Sequence, residues 1–228
     1  MAQIFPKWTN EIPKVVPPVL TVFGAFAAFV VWYWFSPLHT DVGYKPVQPV
    51  PYSHKLHAGQ LGMDCRYCHT YAEKGPHAGV PPTQTCMNCH TQAKTKSNKL
   101  RKVRYSWKTG KPIEWVRIHK IPDYAYFNHS AHLNIAGGEA AVGCKECHGR
   151  IDQMVVVRQD QPLSMGWCLE CHRSMREQSG VKFDGSKIRP KSEITNMVWT
   201  ADDAWLAKAN NLKSKLLPPT VECSGCHR

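Results

Sequence analysis

The 228-residue chain carries 29 Lys and Arg against 17 Asp and Glu, a formal charge of +12, and ten cysteines. A hydrophobic fraction of 43% excludes a disordered chain, and a mean hydropathy of −0.40 excludes a polytopic membrane protein while leaving room for one span. The size allows one or two domains, and the basic excess alone does not choose between nucleic acid, an anionic membrane surface and an acidic cofactor.

Residues 1–14 form a short segment ahead of a long apolar run. From Val15 to Thr40 there is no Asp, Glu, Lys or Arg, and Val15 to Phe35 supplies the roughly 20 apolar residues of a bilayer-spanning helix, which we place at 15–36. Pro17 and Pro18 are expected near its first turn, where a missing N–H costs little; Trp32, Tyr33, Trp34 and Phe35 suit the membrane–water interface. A cleaved signal peptide is the competing reading. The run exceeds the usual 7–15 residues and ends in bulky aromatics, which favours an uncleaved signal anchor. Gly24 and Ala28 form a small-xxx-small pair suited to a neighbouring helix. Residues 37–51, including the KPVQPVP stretch, read as an extended Pro-rich linker. Lys7 and Lys14 on one side are matched by Lys45 and Lys55 on the other, so charge does not orient the span.

Beyond the linker, at 52–228, every cysteine lies in one pentapeptide: CRYCH (Cys65, Cys68, His69), CMNCH (Cys86, Cys89, His90), CKECH (Cys144, Cys147, His148), CLECH (Cys168, Cys171, His172) and CSGCH (Cys223, Cys226, His227). C-x-x-C-H is the attachment signature of c-type haem: two thiols add to the two vinyl groups and the adjacent His becomes an axial ligand. Disulfides do not explain a His after each pair, which by chance has odds on the order of one in a million. Zinc needs four ligands, commonly from two pairs, and five pairs would leave one over. The expectation is five covalent c-type haems. Covalent attachment takes place outside the cytoplasmic membrane, which puts the N-terminus inside and the haem domain on the periplasmic side of a single-pass inner-membrane protein.

About 35 residues per haem is too little for a conventional core around each cofactor. The expected fold class is a multihaem cytochrome c, mostly irregular with short α-helices around the haems, plus the transmembrane helix. One longer helix is expected from Ala204 to Leu217, with Thr200 and Asp203 resembling a capping box. A duplication is visible. YSHKLH (His54, His57) precedes the motifs at Cys65 and Cys86, and FNHSAH (His129, His132) precedes those at Cys144 and Cys168. Modules at 52–118 and 119–190 follow, with a fifth haem at 191–228. His54, His57, His129 and His132 are the expected distal ligands. His119 is the expected fifth, with Met154 and Met165 as thioether alternatives; His39 and His77 read as interface and loop residues. Six-coordinate iron leaves no place for substrate, so single-electron transfer without a catalytic residue is expected.

Lys94 to Lys111 holds eight basic residues and no acid; it reads as a solvated loop, or as a contact for haem propionates or an acidic partner, and not as a nucleic-acid site. Trp107, Trp115, Trp167, Trp199 and Trp205 are expected against porphyrin faces or a partner. Two propionates per haem, up to ~10 negative charges in all, offset most of the +12.

The H-x-x-H pattern resembles small tetrahaem class III cytochromes. That resemblance implies that His54 serves the haem at Cys65 and His129 the one at Cys144, with His57 and His132 reaching to other haems. Over nearly the whole chain, GYKPVQPVPYSHKLHAGQLGMDCRYCH, AGVPPTQTCMNCH, TGKPIEWVRIHKIPDYAYFNHSAH and PLSMGWCLECHR resemble the pentahaem cytochrome c subunit of alternative complex III. The resemblance implies a subunit of a membrane quinol:acceptor oxidoreductase. Its implied partners are an iron–sulfur subunit, polytopic quinol-binding subunits, a monohaem cytochrome c subunit, and a soluble cytochrome or copper protein or an oxidase as acceptor. The alternative is a membrane-anchored multihaem quinol dehydrogenase of nitrate or nitrite respiration. A catalytic multihaem reductase commonly has Lys in place of a motif His or too few distal ligands, and neither is seen.

Overall fold

A computed structural model describes residues 4–176 and 182–227. The chain divides into two units, Met1–Val42 and Gly43–Arg228.

The first unit is a 3-10 turn (Lys7–Glu11), the helix α1 (Ile12–Trp34) and the short α2 (Pro37–Thr40). At 23 residues, α1 is about 34 Å long, enough for a hydrocarbon layer of about 30 Å. None of its residues is buried by protein, and its most apolar stretch has a mean hydropathy of 2.1. The helix starts three residues before the expected span because Ile12 and Pro13, Pro13 in its first turn, extend it. It ends at Trp34 because Ser36, which precedes Pro37, is extended (φ −78°, ψ 152°), as a residue before proline prefers. This shift corrects the reading of Pro17 and Pro18: they lie in the second turn and leave the carbonyls of Pro13 and Lys14 without their helical donors. Near its end, Phe29 stacks on Tyr33 at 5.7 Å and Tyr33 meets His39 at 4.3 Å.

The second unit is mostly loop, punctuated by short helices: α3 (Cys65–Cys68), α4 (Thr83–His90), α5 (Arg101–Thr109), α6 (His129–Leu133), α7 (Cys144–His148), α8 (Met165–Ser174), α9 (Asp203–Leu212) and α10 (Cys223–Cys226). Side-chain caps set several starts. Asp64 accepts from Arg66 N, Asn128 from Ser130 N, Ser164 from Trp167 N and Asp202 from Trp205 N. The last of these corrects the capping-box reading, since Asp202 and not Thr200 is the cap. The helix also stops at Leu212, five residues short of Leu217, and passes into a 3-10 turn at Lys213–Lys215.

Apolar packing is thin. The largest cluster gathers six buried residues: Ala136, Ala140, Ile188, Trp205, Ala209 and Leu212. Two smaller ones centre on Val50, Met87 and Val103, and on Leu133, Ala141 and Ile194. A two-stranded antiparallel pair, β1 (Ala140–Ala141) with β2 (Arg189–Pro190), ties the region before α7 to the region before α9. At its edge lies the fully buried Arg189. Its guanidinium pairs with Glu146 at 2.7 Å, donates to the carbonyls of Glu193 (3.3 Å) and Asn196 (2.7 Å), and sits 4.9 Å from the centre of the Trp199 ring. A Cβ on Gly143 would fall on this guanidinium, so any side chain at the residue preceding Cys144 would have to displace it.

Candidate haem centre

Each C-x-x-C-H sits on a helical turn: α3, the last turns of α4, α7, the middle of α8, and α10. On such a turn the two cysteines, three residues apart, share one face, and the following His comes off beside it. None of the ten cysteines is in a disulfide. At the first motif, a paired hydrogen bond from the Arg66 guanidinium holds the Asp64 carboxyl down at about 2, so this cap stays charged throughout the physiological range.

The histidines share a second feature, the partner of Nδ1. In His69, His90, His172 and His227, the motif histidines, Nδ1 lies against the carbonyls of Gly79 (2.7 Å), Ala93 (2.9 Å), Thr220 (2.6 Å) and Tyr124 (3.1 Å). In His57, His129 and His132 it lies against those of Ser53 (2.9 Å), Pro76 (2.7 Å) and Asn128 (2.8 Å). A carbonyl only accepts, so Nδ1 carries the proton and donates; the lone pair is left on Nε2, the arrangement that orients a metal-ligating imidazole. Two histidines differ. His148 has Nδ1 3.3 Å from Nε2 of His119, and His54 has a buried Nδ1 with no partner.

The rings also pair across gaps. His57 faces His90 at 6.3 Å between ring centres, His129 faces His148 at 6.4 Å with planes only 7° apart, and His132 faces His172 at 6.1 Å. Two imidazoles sharing one metal are separated by about 6 Å between centres, given about 2 Å for each metal–nitrogen bond. The donor set therefore fits haem iron. Burial, with His69 and His57 nearby, lowers the His54 pKa to about 4; burial and four neighbouring imidazoles lower that of His148 to about 3. Burial also lowers His119, His129 and His132. These rings are neutral at pH 7, as ligation requires.

The two H-x-x-H segments repeat in detail. Tyr52 stacks on His57 (4.3 Å, 23°) and meets His54 edge-on (4.8 Å, 85°); Phe127 stacks on His132 (4.5 Å, 27°) and meets His129 edge-on (4.8 Å, 88°). An aromatic residue two places before each first His thus wedges both rings into position. Sequence reasoning assigned these two aromatics no role, although the shared offset was there to read. The backbones differ: His129 and His132 lie on α6, whereas the first segment forms a wide π-helical turn (Lys55–Gln60). That turn presses on residues 151–154, where Lys55 N donates to Met154 O at 2.9 Å and a Cβ on Gly59 would collide with the Asp152 carbonyl.

Neighbouring motifs touch. Asn88 of CMNCH donates to the Tyr67 hydroxyl of CRYCH at 3.0 Å. Cys144 shares an apolar cluster with Ala72, three residues past His69. His129 and His132, on the single helix α6, face the third and fourth motifs respectively. His172 of the fourth is bonded to Thr220, which abuts Gly225 of the fifth.

Of the remaining candidates, His119 packs against His148 at 4.4 Å, while Tyr124 to Tyr126, further along its segment, bond to His227 and Cys226. Met154 is buried at 4% exposure, and Met165 is exposed at the start of α8. His39 and His77 are exposed.

The five motifs and the facing imidazoles have the features of a multihaem cytochrome c, on a chain with an N-terminal apolar helix. Residues 37–121 match the class III cytochrome c family, a stretch holding the first H-x-x-H and the first two motifs. The chain is also 33% identical over 127 residues to the multihaem cytochrome c subunit of menaquinone reductase from Nitratidesulfovibrio vulgaris. That match covers 55% of this chain and 56% of the relative, so the chain spans little more than half the length of the curated relative it matches.

Proposed function

We propose that the chain is the electron-transfer subunit of a membrane quinol:acceptor oxidoreductase of the alternative complex III type, carrying five haems on its five motifs. The observation that carries this reading is the repeated two-imidazole geometry, which would close both sides of a haem iron and leave electron transfer as the chemistry. When bound, the haems supply one-electron redox chemistry at potentials set by their axial ligands. The chain's own residues hold the Nε2 lone pairs in place through Nδ1–carbonyl bonds, hold the rings between aromatic wedges, and keep neighbouring motifs in contact.

The ligand assignment follows the duplication: His54 with His69, His57 with His90, His129 with His148, and His132 with His172. His119 is the proposed partner of His227, because its segment is bonded to the fifth motif. The contact between His119 and His148 supports a competing role as hydrogen-bond acceptor. His119→Ala separates the two: under the ligand assignment one haem turns high-spin, and five retained low-spin signals assign His119 to the hydrogen bond.

The resemblance to alternative complex III supplies the partners: an iron–sulfur subunit, polytopic quinol-binding subunits and a monohaem cytochrome c subunit, with α1 crossing the inner membrane and the haem domain periplasmic. The menaquinone reductase relative supports a quinone-linked membrane complex. Purification in mild detergent tests the reading. Recovery with iron–sulfur and polytopic subunits, and haem reduction by menaquinol only in that assembly, is the expected result; quinol oxidation by the isolated chain would establish the anchored quinol dehydrogenase instead.

A further inference from the structure

The contacts between motifs trace one file. Among the described residues, the second motif is bonded to the first through Asn88 and Tyr67; the first meets the third where Ala72 and Cys144 pack on one apolar cluster; the third and fourth flank α6; the fourth joins the fifth through His172 and Thr220. Followed in turn, these contacts run second, first, third, fourth, fifth, with CMNCH at one end. Over that end lies α5. Its inner face packs Val103 with Met87 and Cys86 of α4, and Ser106 bonds Thr83 at 2.7 Å.

The outer side of this region is a one-sign surface. Lys94, Lys96, Lys99, Arg101, Lys102, Lys108 and Lys111 are exposed, and no acid lies between 94 and 111. Elsewhere six cations are paired with carboxylates: Lys14, Arg66, Arg150, Arg189, Lys191 and Lys215. Among the described residues no ion pair involves any of the seven. Tyr105 (56% exposed) and Trp107 (51% exposed) add apolar area to the same helix. Positive charge with no protein carboxylate partner among the described residues, set around exposed aromatics, is the composition of a docking face for a negatively charged protein.

We propose that the basic face of α5 and the loop before it docks an acidic electron-carrier protein, which exchanges electrons with the chain through the CMNCH end of the file. This rests on the relay reading above. The docked carrier passes one electron to or from the haem held at Cys86 and Cys89, the carrier and the haem changing oxidation state in opposite directions. One α-helix, about 10 Å in diameter, separates the face from that motif.

The test uses the detergent-solubilised native complex, with an acidic copper protein of the plastocyanin type and a basic mitochondrial-type cytochrome c as probes. The wild type is expected to exchange electrons faster with the acidic probe, at a rate that falls as salt rises. Lys99→Glu/Lys102→Glu/Lys108→Glu is expected to lower the low-salt rate at least about tenfold and abolish its salt dependence, while the basic probe gains. The alanine triple should fall between. Low-spin haem spectra and menaquinol reduction are recorded on each preparation. Their retention isolates the docking claim, and loss of menaquinol reduction in the wild type would strike the relay reading instead. Unchanged rate and salt slope in the glutamate triple would overturn the proposal. So would a loss seen only in binding to phosphatidylglycerol vesicles, which would make the face a lipid contact.

Discussion

His132→Ala is expected to turn one haem from low-spin to high-spin while the others keep their spectra, and His132→Met to keep it low-spin at a raised potential. The reason is local. His132 faces His172 at the separation an intervening iron requires, its Nδ1–H is committed to the Asn128 carbonyl, and Phe127 stacks on its ring, so Nε2 has one direction in which to act. Axial-ligand identity commands about 0.8 V across haem proteins, and exchanging an imidazole for a thioether should shift this haem on the order of 100 mV upward. Because the geometry repeats, His57→Ala should do the same to the haem of the second motif. Low-temperature EPR with a redox titration reads both. Five unchanged low-spin signals in either variant would remove that histidine from the ligand set.

Arg189→Met is expected to be the most destabilising single change outside the motifs. Two of its bonds are to backbone carbonyls, of which that of Asn196 would lose its donor while that of Glu193 keeps the Asn196 N–H, and a third is to the carboxylate of Glu146, inside the third attachment motif. Leaving a buried acceptor unmet costs about 1–3 kcal/mol, and the Glu146 pair adds modestly because that carboxylate is about one-third exposed. A loss of about 3 kcal/mol lowers the Tm by roughly 6–12 °C in a chain of this size. Gly143→Ala should approach the same loss, since its Cβ displaces the guanidinium. The missing positive charge should also lower the potential of the haem at Cys144. Thermal unfolding followed at the Soret band checks the first effect; a Tm within about 2 °C of wild type would mean that the buried guanidinium is not a clamp.

Much of the site was legible because covalent chemistry imposes fixed spacing: the five motifs, the paired H-x-x-H segments and the apolar run are local patterns. What escaped depends on chain segments distant in sequence. Arg189 reads as one basic residue among 29, and only the return of β2 onto β1 brings it to Glu146 and Gly143. The contacts between motifs were unreadable because they join side chains such as Asn88 and Tyr67, or Cys144 and Ala72, across loops. At α9 the residues were right and the register wrong: Asp202 competes better than Thr200 because its carboxylate reaches Trp205 N at 2.7 Å. At α1, Pro13 started the helix a turn earlier than the apolar run suggested.

The central claim, five two-imidazole haems serving as a relay, is tested most directly by counting. Pyridine-haemochrome quantification against polypeptide, combined with low-temperature EPR of the purified native complex after subtracting the haem of any companion cytochrome, is expected to give five haems per chain, all low-spin. A ratio below five, or a high-spin haem that binds exogenous ligand in the wild type, would contradict it.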